Sequence, residues 1–306
     1  MSITRRDFAK AGLGAGGLLA LGGTPLLSAG QALLRHRIPS SGEAIPVIGV
    51  GTNRYGVGDD AALRAPLKAS LAKFHELGGT VIDTAPGYRS SESVLGDLID
   101  ELGIRDDLFL ATKVDRNGQR AAADRMQDSF EKLRADTMDL MQVHNFIGWE
   151  EAIPLMRDWQ KEGRIRYVGI TTSRTSQYGL MERVMREHEL DFVQINYSLA
   201  EQREAADRLL PLAADRGMAV LVNRPFGGGG VFGKLKGVEL PQWAREFDCN
   251  SWAQFLLKYV VSHPAVTAAI PGMTEVRHVQ DNMGAAVGAL PDAGQRKRQE
   301  AFFDAL

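Results

Sequence analysis

Eight times along the chain, a short apolar run of strand length is followed by a helix-length amphipathic segment, and no other feature restricts the fold as strongly. The strand-like runs occupy 44–52, 80–84, 108–114, 138–144, 167–171, 192–197, 218–223 and 266–271. Apolar residues at helical spacing mark 61–77, 91–102, 120–134, 150–162, 176–188, 203–216, 241–262 and 274–287, with a terminal helix at 295–306. The strands read as continuous apolar runs instead of alternations, which is the pattern of parallel strands covered on both faces. Eight such units over roughly 250 residues predict a single-domain α/β protein, a (β/α)8 TIM barrel. An open doubly wound sheet is the alternative, but no Gly-x-Gly-x-x-Gly follows the first strand to support it.

Charge and cysteine content narrow the function. With 36 Lys+Arg against 38 Asp+Glu, the net charge of −2 argues against a nucleic-acid binder, which needs clustered cations. The one cysteine, Cys249, excludes an internal disulfide and any CxxC site, and it lacks a basic neighbour that would activate it. No HExxH or clustered His/Asp spacing points to a metal.

The first 30 residues are expected to be an address label apart from the barrel. Arg5-Arg6, with Phe8 and Lys10, precede an uncharged stretch from 11 to 34. Seven glycines (Gly12, Gly14, Gly16, Gly17, Gly22, Gly23, Gly30) lie there and would weaken a packed helix. This segment resembles a twin-arginine signal, which implies export of the folded protein by the twin-arginine translocase to the bacterial periplasm. Pro25, Ser28 and Gly30 suggest cleavage after Gly30, which leaves 31–306 as the barrel domain with no stable membrane insertion. If the segment is retained, its 24 uncharged residues are long enough for a membrane anchor.

In a barrel of this kind, polar residues at the carboxyl ends of strands are the catalytic candidates. The second strand ends in Asp83 and its loop carries Tyr88; the third holds Lys113, and the fourth ends at His144. Each alone has a structural explanation: a turn cap, a loop anchor, an ion-pair partner, a hydrogen-bonding imidazole. Together they form a set suited to proton donation. A free tyrosine, with a pKa of about 10, is a poor acid at neutral pH, and a neighbouring ammonium favours its phenolate. Lys113, held by Asp83, would supply that ammonium, while His144 would orient a carbonyl oxygen. Such a set suits reduction of a small-molecule carbonyl with Tyr88 as general acid; the hydride must come from a nicotinamide. Tyr55, Phe146 and Trp149 are candidates to line the substrate pocket, and Gly227 to Gly230 would let backbone approach a pyrophosphate.

The run Val81-Ile82-Asp83-Thr84-Ala85-Pro86-Gly87-Tyr88, with Ser91-Glu92 and Leu95-Gly96, resembles the aldo-keto reductases. Thr112-Lys113, Gln142-Val143-His144-Asn145, the segment 163–170 and Gln194-Ile195-Asn196-Tyr197-Ser198 extend the resemblance over about 45–285. It implies a TIM barrel with an Asp-Tyr-Lys-His tetrad at Asp83, Tyr88, Lys113 and His144, and NADP(H) as cofactor, with NAD(H) the alternative. It further implies that Gly51 and Thr52 lie near the nicotinamide ribose, with Asp83 beside them, and that Gln194 bonds the nicotinamide amide. Thr171-Thr172 stands where the family often has Ser-Asn, so amide contacts fall to Thr172. Asn223, Arg224, Pro225 and Phe226, followed by Gly227, stand where many members stack an aromatic on the nicotinamide. Gly272 falls in the segment that holds the adenosine 2′-phosphate, and Asp281 and Asn282 match the adenine pair. Gly272 and His278 stand where strongly NADP-selective members carry cations; Arg277 and His278 offer compensating charge.

Two other functions are compatible with the same residues. One is a non-catalytic nicotinamide-nucleotide-binding, redox-sensing subunit of an exported complex. The other is an aldolase with Lys113 as Schiff-base lysine, which pairing with Asp83 would oppose by keeping the amine protonated.

Overall fold

The computed structural model describes residues 32–201 and 203–306, so the expected leader at 1–30 lies outside the described residues. The parallel strands are β3 (Val50–Gly51), β4 (Val81–Asp83), β5 (Phe109–Val114), β6 (Met138–His144), β7 (Ile165–Thr171), β8 (Phe192–Asn196), β9 (Ala219–Asn223) and β10 (Ala268–Ala269), neighbours in chain order. Bridges Ile48 to Ala269 and Gly51 to Gly272 join first strand to last, and Gly51 N–H donates to Pro271 O at 3.0 Å. The seam is tight: a Cβ on Gly51 would lie 2.8 Å from Ile270 O, so only glycine lets the barrel close here.

Between strands run helices α1 (Ala61–Glu76), α2 (Ser91–Leu102), α3 (Gln119–Leu133), α4 (Trp149–Lys161), α5 (Tyr178–Glu187), α6 (Ala205–Asp215), the short α7 (Val231–Lys234), α8 (Trp252–Val261) and α9 (Val276–Met283); α10 (Ala293–Asp304) ends the chain. A second close approach sits where α2 crosses α3. A Cβ on Gly96 would come within 2.0 Å of Lys132 O.

The run expected to form one strand at 44–52 divides in two. A hairpin, β1 (Arg35–Arg37) with β2 (Ala44–Pro46), pairs antiparallel, and β3 then joins the barrel. One strand cannot pair in both sheets, and Gly49 lets the chain cross against Val81, where a Cβ would sit 2.8 Å away. Leu34, the last of the uncharged stretch, is built into the fold: its N–H donates to Ala286 O at 2.7 Å and its carbonyl accepts from Val47 N at 3.1 Å. The helix expected at 241–262 also breaks. A 3-10 turn (Gln242–Phe247) ends at Asp248 with φ +54°, and Ser251 caps α8 by accepting from Gln254 N.

Strand alternation sorts the side chains into two cores. Outward residues such as Ile82, Leu110, Met141, Val168, Val193 and Val220 pack against the helices. Inward residues fill the axis, and along nearly every strand they pass from apolar to polar: Val81 to Asp83, Ala111 to Lys113, Leu140 to Gln142 to His144, Phe192 to Gln194 to Asn196, Leu221 to Asn223. At the amino-terminal end the axis is plugged by Ile38 and Ile45 with the rings of Phe109, Tyr167 and Phe192, whose centroids lie 5.4 to 5.9 Å apart. The apolar plug packs the closed end, and the polar layer faces the loops at the other.

Lys258 of α8 is fully buried, and its ammonium donates to the carbonyls of Phe247 (2.7 Å), Val287 (2.8 Å) and Ala289 (2.8 Å). Burial holds its pKa below the usual lysine range, against the opposing pull of Cys249 and Asp248. One side chain thus fastens the breaks on either side of α8 and α9. Lys258→Met, of similar length without the donors, leaves the buried Phe247 carbonyl and two partly buried ones without their partner; urea denaturation is expected to show a loss of about 2 kcal/mol.

Candidate active site

The polar end of the axis is organised around one carboxylate. Asp83, 2% exposed, ends β4, and two backbone-level bonds from Thr52 fix its carbonyl: Thr52 N and Oγ1 donate to Asp83 O at 3.0 and 2.9 Å. Lys113 Nζ donates to Asp83 Oδ2 at 2.6 Å and to Thr84 O at 2.6 Å. Asp83 Oδ1 accepts from Gln194 Nε2 at 2.8 Å and from Gln142 Nε2 at 3.2 Å, while Gln194 Oε1 accepts from Thr171 Oγ1 at 2.6 Å. Donors from three strands therefore converge on a group that β4 alone presents.

Lys113 reaches in turn towards the phenol. Its Nζ lies 5.2 Å from the centroid of the Tyr88 ring, and the Tyr88 and His144 rings meet edge to face with centroids 6.1 Å apart. The four residues expected to act together are thus brought together. Burial works against the Lys113 ammonium, but the charge and hydrogen bonds of Asp83 and Tyr88 outweigh it and hold the pKa above the usual lysine value. A lysine so held remains a cation throughout the neutral range. His144 is pushed the other way, down to about 4, first by burial, then by the Lys113 ammonium and by Arg174, with Asp115 opposing. Its imidazole is therefore neutral near pH 7 and can donate one hydrogen bond without carrying charge.

Strained loops frame these groups. Arg89, Asn145, Phe146 and Arg224 hold φ values of +56°, +54°, +59° and +49°, each in a loop that follows a barrel strand. For residues with a Cβ this conformation costs on the order of 1 kcal/mol, and it concentrates beside the polar layer. Gly87 leaves the approach open: a Cβ there would stand 4.0 Å from His144 Cε1 and 3.8 Å from Asp115 Oδ2.

The other residues singled out in the sequence fall into distinct places. Thr172 Oγ1 donates to Gln177 Oε1 at 2.5 Å, and its carbonyl accepts from Asn223 Nδ2 at 3.4 Å, so the ends of β7 and β9 are tied. Arg224 is exposed and folds over Gly228, where a Cβ would lie 2.6 Å from Nη2. Pro225 is buried, Phe226 packs edge-on against Phe232 at 5.0 Å, and Gly227 has φ +57° against the Glu201 side chain. Gly272 is exposed beside the seam. Asn282 is buried, whereas Asp281 accepts from Ser251 Oγ at 2.6 Å and Gln254 Nε2 at 3.1 Å, which anchors α9 to α8. Arg277 is paired with Glu275 at 2.9 Å.

The pocket-lining expectations change. Tyr55 is 1% exposed, and its hydroxyl donates to Met273 O at 2.8 Å, with burial raising its pKa; it anchors the seam instead of offering a surface. Trp149 turns outwards onto α5, edge to face with His188 at 5.5 Å and beneath Arg183. Phe146 is buried in the outer core. These corrections share a cause: an aromatic close in sequence to a strand end still chooses the larger apolar surface, here between barrel and helices.

Two inward amides escaped sequence reasoning. Gln142 and Asn196 each stand two residues from a recognised position, His144 and Gln194, so period-two spacing marks them as facing the same axis. Asn196 Nδ2 donates to Ser173 O at 2.7 Å. Its Oδ1, and that of Asn223, are buried without a hydrogen-bond partner among the described residues. Among the described residues no group of three His, Cys, Asp or Glu side chains could hold a metal.

Residues 47–296 match the model of the aldo/keto reductase family. The chain belongs to the aldo/keto reductase family. It is an oxidoreductase by that membership. Over 248 residues it is 30% identical to methylglyoxal reductase YeaE of Escherichia coli, covering 78% of this chain and 84% of that protein. It is 24% identical over 242 residues to the NADH-specific methylglyoxal reductase of the same organism, covering 68% and 73% respectively. A crystal structure of an aldo/keto reductase from Klebsiella pneumoniae, in complex with NADP and acetate, superposes with a TM-score of 0.72 at 27% identity, covering 86% of this chain and 93% of that one.

The depressed His144 has a consequence for stability. Its folded-state pKa of about 4 lies below the unfolded value of 6.5, so between these pH values the unfolded chain binds more protons. Stability is therefore lost as pH falls from 6.5 to 4, by up to about 3 kcal/mol from this residue. Denaturant unfolding of His144→Gln at pH 7 and pH 4.5 is expected to show a smaller acid loss than the parent protein.

Proposed function

We propose that this aldo/keto reductase uses NADP(H) to reduce an aldehyde or ketone to an alcohol, with Tyr88 as the proton donor. The observation that carries the reading is the convergence of Asp83, Lys113, Tyr88 and His144 in one buried polar layer. The NADP-bound Klebsiella relative supports the cofactor assignment. So do two orphaned acceptors, Asn196 Oδ1 and Asn223 Oδ1, at the ends of adjacent strands: a buried acceptor needs an N–H donor, and a nicotinamide carboxamide carries two. Thr172, Asn196 and Asn223 would hold that carboxamide, and Arg224 with Gly227 would meet the phosphates.

The hydride is the chemistry that NADP(H) supplies when bound. The chain's residues manage the oxygen. His144, neutral, donates a hydrogen bond to the substrate oxygen and aims the carbonyl. As negative charge builds there, the Tyr88 Oη–H bond breaks and the proton passes to that oxygen, giving the alcohol. Lys113, fixed as a cation by Asp83, stabilises the phenolate left behind. In Tyr88→Phe, steady-state NADPH oxidation with a reactive aldehyde should fall by about 100-fold or more, while fluorescence titration of NADPH stays within two-fold. Unchanged turnover in that variant would favour a nucleotide-sensing subunit.

We further propose that the leader directs folded export to the periplasm, with the cofactor loaded in the cytoplasm first; the support is Arg5-Arg6 and the uncharged stretch that follows. Among the described residues no helix is long and apolar enough to cross a membrane. Replacing both arginines by lysine should leave active enzyme in the cytoplasmic fraction; secretion at the parental level would refute the export route.

A further inference from the structure

We infer that Gln142 is a positioning residue for the catalytic pair: its amide sets which oxygen of Asp83 meets Lys113, and so holds the ammonium against Tyr88. The inference rests on the reading above, in which Tyr88 donates the proton.

Gln142 sits in β6, fully buried, with its side chain on the barrel axis two residues before His144. One layer below, the inward positions are apolar: Ala111, Leu140 and Leu221 fill the axis without polar atoms. A leucine or methionine at 142 would continue that packing. Instead the chain places an amide there whose Nε2 donates to Asp83 Oδ1 at 3.2 Å and whose Oε1 has no hydrogen-bond partner among the described residues. A buried carbonyl oxygen left unsatisfied opposes folding, so the amide is not explained by stability. Its fit is close, since a Cβ on Gly169 of β7 would stand 3.3 Å from Gln142 Cγ. The neighbouring strand thus leaves room for this side chain to extend towards Asp83.

The effect on Asp83 follows from donor counting. Oδ1 takes two neutral amide donors, from Gln142 and Gln194, and Oδ2 takes the charged one from Lys113. Two amides on one oxygen stabilise the carboxylate as an anion in a site with 2% exposure, and leave the other oxygen to the ammonium alone. Remove one amide and the carboxylate binds its remaining proton source more strongly. The proton on Lys113 shifts towards Asp83, and less positive charge faces Tyr88.

Gln142→Leu tests this, because it removes the donor and the orphaned oxygen together. The expected result is a split: the midpoint of thermal unfolding equals or exceeds the parent value, and KM for NADPH stays within two-fold. At the same time kcat falls about ten-fold, and the alkaline limb of its pH profile moves to higher pH. In an Asp83→Asn background the same change should produce no further loss, because both act through one carboxylate. Unchanged kcat and pH profile in Gln142→Leu would overturn the inference, as would a loss that only accompanies a lowered unfolding midpoint or that adds in full to Asp83→Asn. If the parent enzyme itself oxidises no NADPH with carbonyl compounds, it is the underlying reading that fails instead.

Discussion

A lysine and an aspartate meet at the one end of the barrel axis that is polar, and the geometry around them depends on that meeting. Neither group would stay charged in such a place alone. Lys113 is 1% exposed and Asp83 2%, where an isolated charge is strongly disfavoured. Each makes the other tolerable, and neutral groups complete the shell: Gln142 and Gln194 donate to Asp83, and Thr84 O accepts from Lys113. The shell therefore requires that β4, β5, β6 and β8 keep their register, and closure of the barrel through Gly51 and Gly272 holds that register in place.

The second buried lysine makes the contrast instructive. Among the described residues Lys258 forms no ion pair, and three carbonyl oxygens hold its ammonium; burial lowers its pKa. Lys113 has a carboxylate and a phenol beside it, and its pKa rises. One arrangement fastens loops, and the other keeps a cation available beside a proton donor. The amino-terminal end of the barrel carries clefts too, of about 430 and 460 Å³, but their arginines and carboxylates are largely paired with each other or with backbone. Concavity alone does not locate the chemistry in this fold.

Much of the fold was legible because it is written locally. Apolar runs of strand length, helical periodicity and glycine stops are properties of adjacent residues, and they predict eight βα units that the structure contains. Where reading went astray, two local signals competed. The 44–52 run is apolar throughout, yet its first part pairs with Arg35–Arg37 and its last with β4, a choice that only non-local pairing makes. At 241–262 the helical pattern persists through Ser251, although its side chain caps a new helix there.

The sequence by itself determined the barrel and placed Asp83, Lys113 and His144 on its strands with Tyr88 in a following loop, since strand, turn and side-chain type are encoded within a few positions of each other. Tertiary structure decided which groups share an oxygen. Gln142 and Gln194 are separated by more than fifty residues, and nothing in the sequence marks them as partners of one oxygen. They meet on Asp83 Oδ1 because the barrel curves β6 and β8 towards β4 across its axis. It likewise decided that Tyr55 and Trp149 pack away from the polar layer. Reach across a closed sheet depends on tilt and register, and those exist only once all eight strands are in place.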